Sequence, residues 1–182
     1  NLFAETGHAG ATHLVATNKV DVLSFTGSTA TGIKIMQDAA PTMKKLSLEL
    51  GGKSCCLVFA DADVSTIAPK LVAAATIISG QQCTAARRVV VHASHFAEMK
   101  QALAVAIGQI RLGHGLEATT QMGPLIDRGS RDAVAQRIAE ALDNCDEVLL
   151  AGEVPCGPLH TGAFLSPSLI AHRDSGAFFC QE

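Results

Sequence analysis

Tryptophan and tyrosine are absent from this chain, and phenylalanine alone supplies its 4% of aromatic residues. That argues against a platform of aromatic rings on which nucleic-acid bases could stack. An excess of positive charge is missing as well. Fourteen Lys and Arg stand against 17 Asp and Glu, a net charge of −3, so there is no basic field for DNA, RNA or an anionic lipid surface. No apolar run approaches the ~18 residues that a membrane-spanning helix needs, and residues 1–10 lack the basic and apolar regions of a signal peptide. No C-x-x-C pair occurs among the six cysteines at 55, 56, 83, 145, 156 and 180, which leaves a zinc site with little support. Irregular cysteine spacing in a chain this long and apolar reads as reduced thiols in a cytoplasmic protein, not as a disulfide framework. There is no internal repeat and no low-complexity tract.

What is present is apolar. Hydrophobic residues make up 48% of the 182 positions, enough for a sizeable core in one domain or in parts of two. Residues 20–26 form a short apolar run that predicts a buried strand, and residues 29–40 carry Ile33, Ile35, Met36 and Ala40 at helical spacing, stopped by Pro41. Residues 45–50 alternate Leu46, Leu48 and Leu50 with Ser47 and Glu49, a strand pattern broken by Gly51-Gly52. Residues 54–59 read as another buried strand. Asp61 and Asp63 are candidate caps for an Ala-rich helix that ends near Ser79-Gly80. Residues 88–92 give a further strand, and Ser94 is a candidate cap for a helix through Ile110 whose stripe is Phe96, Met99, Leu103, Ile107 and Ile110. Residues 127–145 read as helix, 147–151 as strand, and 152–168 as loop with one edge strand. Strands alternating with helices predict an α/β architecture with mostly parallel sheets.

Three segments carry chemistry. Gly27-Ser28-Thr29-Ala30-Thr31-Gly32 lies between a strand and a helix, where a glycine turn and unpaired helix N–H groups suit an anion; an ordinary tight turn with a Ser/Thr cap has the same pattern. Glu49 closes an apolar strand before two glycines, at the sheet edge where α/β proteins place working residues. It is a candidate general base, or a solvated edge residue paired with Lys53. Cys83, in Ser79-Gly80-Gln81-Gln82-Cys83-Thr84, sits among glycine and polar residues at a bend between helix and strand. That is a better setting for a nucleophilic thiol than the apolar strand around Cys55 and Cys56, which read as packing residues. His92 and His95 form an H-x-x-H, but the strand before them favours a strand end and a helix start, and no metal is expected.

In this order, Phe25-Thr26-Gly27-Ser28-Thr29, Glu49-Leu50-Gly51-Gly52-Lys53 and Gly80-Gln81-Gln82-Cys83 resemble the signature blocks of the aldehyde dehydrogenase superfamily. The interval between Glu49 and Cys83 fits, and so do Met122-Gly123-Pro124-Leu125 and Phe164-Leu165-Ser166-Pro167. The resemblance covers essentially all 182 residues. It implies an aldehyde dehydrogenase-like, three-layer α/β fold that is incomplete at both ends. Residues 1–50 would be the C-terminal part of an NAD(P)-binding domain, and residues 51–182 part of a catalytic domain. Cys83 would be the nucleophile and Glu49 the base that activates water. Gly27 and Ser28 would approach the pyrophosphate of NAD or NADP, Leu50 and Gly51 the nicotinamide, and Glu182 the nicotinamide ribose. Lys53 is expected to pack its stem and pair with a carboxylate.

The partners implied are a small-molecule aldehyde and further copies of the full-length protein, as a homodimer or homotetramer, with no nucleic acid and no membrane. The family's early cofactor segment and its C-terminal end lie outside the match, so the 182-residue piece alone is expected to be inactive. Three alternatives stand beside hydrolysis. In a coenzyme A-acylating relative, coenzyme A would take the thioester; those enzymes generally lack the glutamate. A descendant could bind cofactor without turnover. A thiol hydrolase would pair Cys83 with a histidine, for which no spacing speaks.

Overall fold

In this computed structural model residues 1–181 are described. The chain falls into two compact units, Asn1–Gly52 and Lys53–Glu182.

The first unit begins with helix α1 (Ala9–Ala16), followed by strand β1 (Val22–Thr26), helix α2 (Thr29–Ala39) and strand β2 (Lys45–Glu49). β1 and β2 pair in parallel from Val22↔Lys45 to Thr26↔Glu49, with α2 as the crossover. Strand alternation decides the core: Leu23, Phe25, Leu46 and Leu48 pack on Val15, Ile35 and Ala39. β1 is therefore half-buried, not fully buried as its apolar run predicts, and Val22 is 59% exposed. The inward face of α2 is Gly32, Ile35 and Ala39, while Ile33 and Met36 face out. Pro41 ends the helix as expected, inside a 3-10 turn over Ala40–Thr42 that closes on Met43 at φ 51°. The Lys44 ammonium donates to the Thr17 and Val20 carbonyls, both at 2.6 Å, and holds the segment before β2 against the segment before β1.

The second unit repeats the strand–helix–strand pattern with β3 (Cys55–Val58), α3 (Val64–Thr76) and β4 (Arg88–Val91), then adds α4 (Phe96–Gly108), α5 (Arg128–Asn144), β5 (Glu147–Leu150) and β6 (Leu169–Ala171). β3 and β4 are parallel. β5 and β6 are antiparallel with an irregularity between Val148 and Leu150, a departure from the mostly parallel expectation. The core joins Val58, Val64, Ala68, Val72, Met99 and Leu103; Met99 is 1% exposed, and burial of such a side chain contributes about 1.5–3 kcal/mol. β3 is not fully buried either: alternation leaves Cys55 and Leu57 exposed. Cys55 is thus a surface thiol and not the packing residue its apolar neighbours suggest. α3 runs through Pro69, which is exposed and costs one backbone donor, while Val64, Ala68 and Val72 are buried along the same helix. Ser94 does not cap α4. It lies in a 3-10 turn, Ala93–His95, where its N–H donates to the His92 ring.

Of the two aspartates read as caps, Asp63 is the one that works. Its carboxylate accepts from the N–H groups of Ser65 at 3.0 Å and Thr66 at 3.4 Å, and from both their hydroxyls. The Thr66 and Ser65 hydroxyls, followed by the Thr66 N–H, lower its pKa from 3.8 to about 2. A carboxylate depressed in the folded state stabilises above its unfolded pKa and loses that effect as pH falls through its folded pKa. Asp63→Ala is therefore expected to lower Tm at neutral pH, and the gap to wild type to close as pH falls from about 4 towards 2. Thermal melts across that range check both parts.

Candidate active site

The first unit brings the predicted cofactor turn and the predicted base together. Parallel register sets Thr26 beside Glu49, and the Gly27 N–H donates to the Glu49 carbonyl at 3.0 Å. Gly27 and Ser28 thus lie at the carboxyl ends of β1 and β2, where α2 begins. Ser28 is the N-cap, its hydroxyl accepting from the Thr31 N–H at 3.2 Å, and no acidic residue occupies the first turn of α2. An exposed turn of this kind suits a phosphate. The glycine at 27 has a local cause: a Cβ there would lie 2.4 Å from Cζ of Phe25, so the ring occupies its place. Gly32 has the same kind of cause, since a Cβ would stand 2.7 Å from Cδ2 of Leu50. Leu50 therefore packs on the first turn of α2, next to the Ser28 cap. Glu49 and Gly51 are exposed, and a Cβ on Gly52 would meet nothing within 4 Å. The residues present fit a dinucleotide phosphate at the helix start and leave the Gly51-Gly52 backbone open to a ligand.

Cys83 belongs to the second unit. It is exposed on the turn that leads from α3 towards β4, and its carbonyl accepts from Ser54 Oγ at 3.5 Å. The residues before it carry an unusual backbone: Ile78 (φ 48°), Ser79 (φ 54°) and Gly80 (φ 72°) are all left-handed. A β-branched residue is rare in that region, and such conformations persist where their surroundings over-determine them. Several contacts do so here. Ser79 Oγ donates to the Gly123 carbonyl at 2.9 Å. The Gln81 side chain donates through Nε2 to the Ile78 carbonyl at 3.1 Å and accepts from the Ile126 N–H at 3.0 Å. Arg87 donates to the Gly80 carbonyl. Sequence reasoning missed Ser79 and Gln81 as holding groups. The polar run around Cys83 and the Met122-Gly123-Pro124-Leu125 motif were both visible, but nothing in a linear chain pairs them across 45 residues.

The remaining predicted residues fare differently. Lys53 is half-buried and no carboxylate pairs with it among the described residues, against the expected ion pair; burial, then the Arg87 guanidinium, push its ammonium below the ordinary lysine value. His95 Nε2 pairs with the Ala60 carbonyl at 2.8 Å and His92 Nδ1 with Ser94 Oγ at 2.8 Å. Among the described residues no cluster of three or more His, Cys, Asp or Glu could hold a metal ion, and no helix is long and apolar enough to cross a membrane. Glu182 lies outside the described residues.

Known proteins share this sequence pattern and fold. The chain is 36% identical over 179 residues to the D-glyceraldehyde dehydrogenase (NADP(+)) of Thermoplasma acidophilum, across 93% of this chain and 34% of that protein. It is 35% identical to the phenylacetaldehyde dehydrogenase of Pseudomonas fluorescens, across 96% of this chain and 34% of that protein. Its structure superposes with a TM-score of 0.91 and 28% identity on a mutant aldehyde dehydrogenase C from Pseudomonas syringae in complex with NAD+ and octanal, covering 97% of this chain and 36% of that one. The chain thus spans about a third of the length of these relatives. The profile of the aldehyde dehydrogenase family matches residues 1–182, from end to end, and the chain belongs to that family.

Proposed function

We propose that the full-length protein containing this chain oxidises an aldehyde to a carboxylic acid with NAD or NADP, through a covalent intermediate on Cys83 that Glu49-activated water hydrolyses. The observation that carries this reading is the exposed Cys83 thiol on a turn held by the side chains of Ser79, Gln81 and Arg87. Residues 1–50 are read as the end of the cofactor domain and 51–182 as part of the catalytic domain, which the boundary after Gly52 supports. The roles of Gly27 and Ser28 at the pyrophosphate, and of Leu50 and Gly51 on the nicotinamide side, rest on the fit of that turn and the open Gly51-Gly52 backbone. Glu182 is assigned to the nicotinamide ribose on the family resemblance alone.

The Cys83 thiolate adds to the aldehyde carbonyl and forms a C–S bond, giving a thiohemiacetal whose oxyanion the Cys83 N–H helps to hold. The bound nicotinamide supplies the hydride acceptor. Loss of hydride from the former aldehyde carbon leaves a thioester on Cys83. Glu49 takes a proton from water as the water oxygen attacks that thioester; the C–S bond breaks, the thiolate returns and the acid leaves. The balance is aldehyde, oxidised cofactor and water to acid, reduced cofactor and a proton.

The acylating reading differs only in the acceptor of the acyl group. Full-length protein assayed with NAD or NADP and an aldehyde panel is expected to form reduced cofactor steadily without coenzyme A. Turnover that requires coenzyme A would replace hydrolysis by acyl transfer. Since the chain covers about a third of its relatives, the 182-residue piece alone is expected to be inactive, and the assembly, a homodimer or homotetramer, is a property of the full-length protein.

A further inference from the structure

We propose that Gln81 is a positioning residue for the Cys83 thiol, its side-chain amide stapling the nucleophile turn to the Met122–Ile126 loop. The inference rests on the reading of Cys83 as nucleophile and adds a residue to it. Both ends of the amide are engaged. Nε2 donates to the Ile78 carbonyl within the turn, and Oε1 accepts from the Ile126 N–H, 45 positions away. A backbone bond from the Gln81 N–H to the same Ile78 carbonyl at 3.0 Å closes the turn on itself. Gln81 thus couples the left-handed Ile78–Gly80 backbone to a separate loop.

Apolar packing holds the turn only behind the thiol, where Ala85 and Ala86 are buried. Two clefts of about 570 and 720 Å³ flank the turn, and both are lined by Ser79, Gln81 and Met122. Ile78, which would otherwise anchor the turn, is 66% exposed. Ahead of the thiol, where these clefts lie, the turn is held by hydrogen bonds: Gln81 to Ile126, Ser79 Oγ to the Gly123 carbonyl, and Arg87 to the Gly80 carbonyl. Removing the Gln81 amide frees a strained backbone three to five residues before the thiol. Attack on a carbonyl demands a near-attack geometry, and a displacement of about 1 Å can cost 10²-fold.

The test uses the full-length protein and measures hydride transfer in a single turnover with a saturating aldehyde, normalised to Cys83 thiol titrated in the folded enzyme. Normalisation separates misplacement from a loss of folded protein, which a merely structural role would produce. Gln81→Ala and Gln81→Met, the second keeping length without an amide, are expected to slow transfer per thiol by roughly 10–100-fold. Cofactor affinity is expected to stay unchanged. Gln81→Glu keeps the acceptor for the Ile126 N–H but loses the donor to the Ile78 carbonyl, and is expected to recover only part of the loss. Should Gln81→Ala not fold, Ser79→Ala cuts the neighbouring bond in the same turn and is expected to slow transfer per thiol in the same sense. An unchanged rate per thiol in these variants overturns the proposal. Full activity in Cys83→Ala would instead overturn the nucleophile reading beneath it.

Discussion

Cys83→Ala in the full-length protein is expected to abolish aldehyde-dependent formation of reduced cofactor, by on the order of 10⁴-fold or more, while leaving cofactor binding intact. The size of the effect follows from chemistry: without sulfur no C–S bond forms, and the hydride would have to leave an aldehyde or its hydrate with no covalent partner. The fold gives little reason for a compensating collapse. Cys83 is exposed, its side chain fills no core position, and its carbonyl contact with Ser54 survives the change. Cys55 and Cys156 are exposed too, but neither sits on a turn fixed by three separate side chains. Their replacement by alanine makes the matched control, with activity expected to remain. Reduced-cofactor absorbance with each variant, alongside a cofactor-binding titration, checks the prediction.

The second large effect is expected at Glu49. Glu49→Gln keeps the shape of the side chain and leaves the backbone bond from Gly27 in place, so the strand pair is undisturbed. It removes the base. Steady-state turnover is expected to fall by about 10²–10⁴-fold, whereas the first turnover still produces reduced cofactor, because thiol attack and hydride loss precede the step that needs the base. The result is a burst close to one reduced cofactor per active site, followed by a slow phase. Rapid mixing reads both phases. Loss of the burst along with the steady state would place Glu49 before thioester formation instead.

Much of this was legible in the chain because local rules and function coincide at the same residues. Two strand–helix–strand units could be read from alternation in 45–50, from the helical spacing after Thr29 and from the Asp63 cap, and each lies where that reading puts it. The blocks around Gly27, Glu49 and Cys83 named the family because they retain order and interval. What failed was burial. Residues 20–26 and 54–59 were read as buried runs, yet pleating turns alternate side chains away from the core, so Val22, Cys55 and Leu57 face out; in β1 the polar Ser24 and Thr26 between Leu23 and Phe25 already carried that alternation. The antiparallel β5–β6 pair was not visible either, since a three-residue strand after a Gly- and Pro-rich loop carries almost no periodicity. The supports of the Cys83 turn were hidden for a different reason. Gln81 and Ser79 act through backbone groups of residues 126 and 123, and a backbone partner leaves no mark on sequence type.

Covalent catalysis at Cys83 is the central claim, and mass spectrometry of full-length Glu49→Gln quenched after mixing with NAD or NADP and an aldehyde tests it most directly. The account predicts an acyl group, matching the aldehyde less one hydrogen and replacing the thiol hydrogen, on the peptide that contains Cys83. An acyl group on a different cysteine, or turnover with none on any, would contradict it.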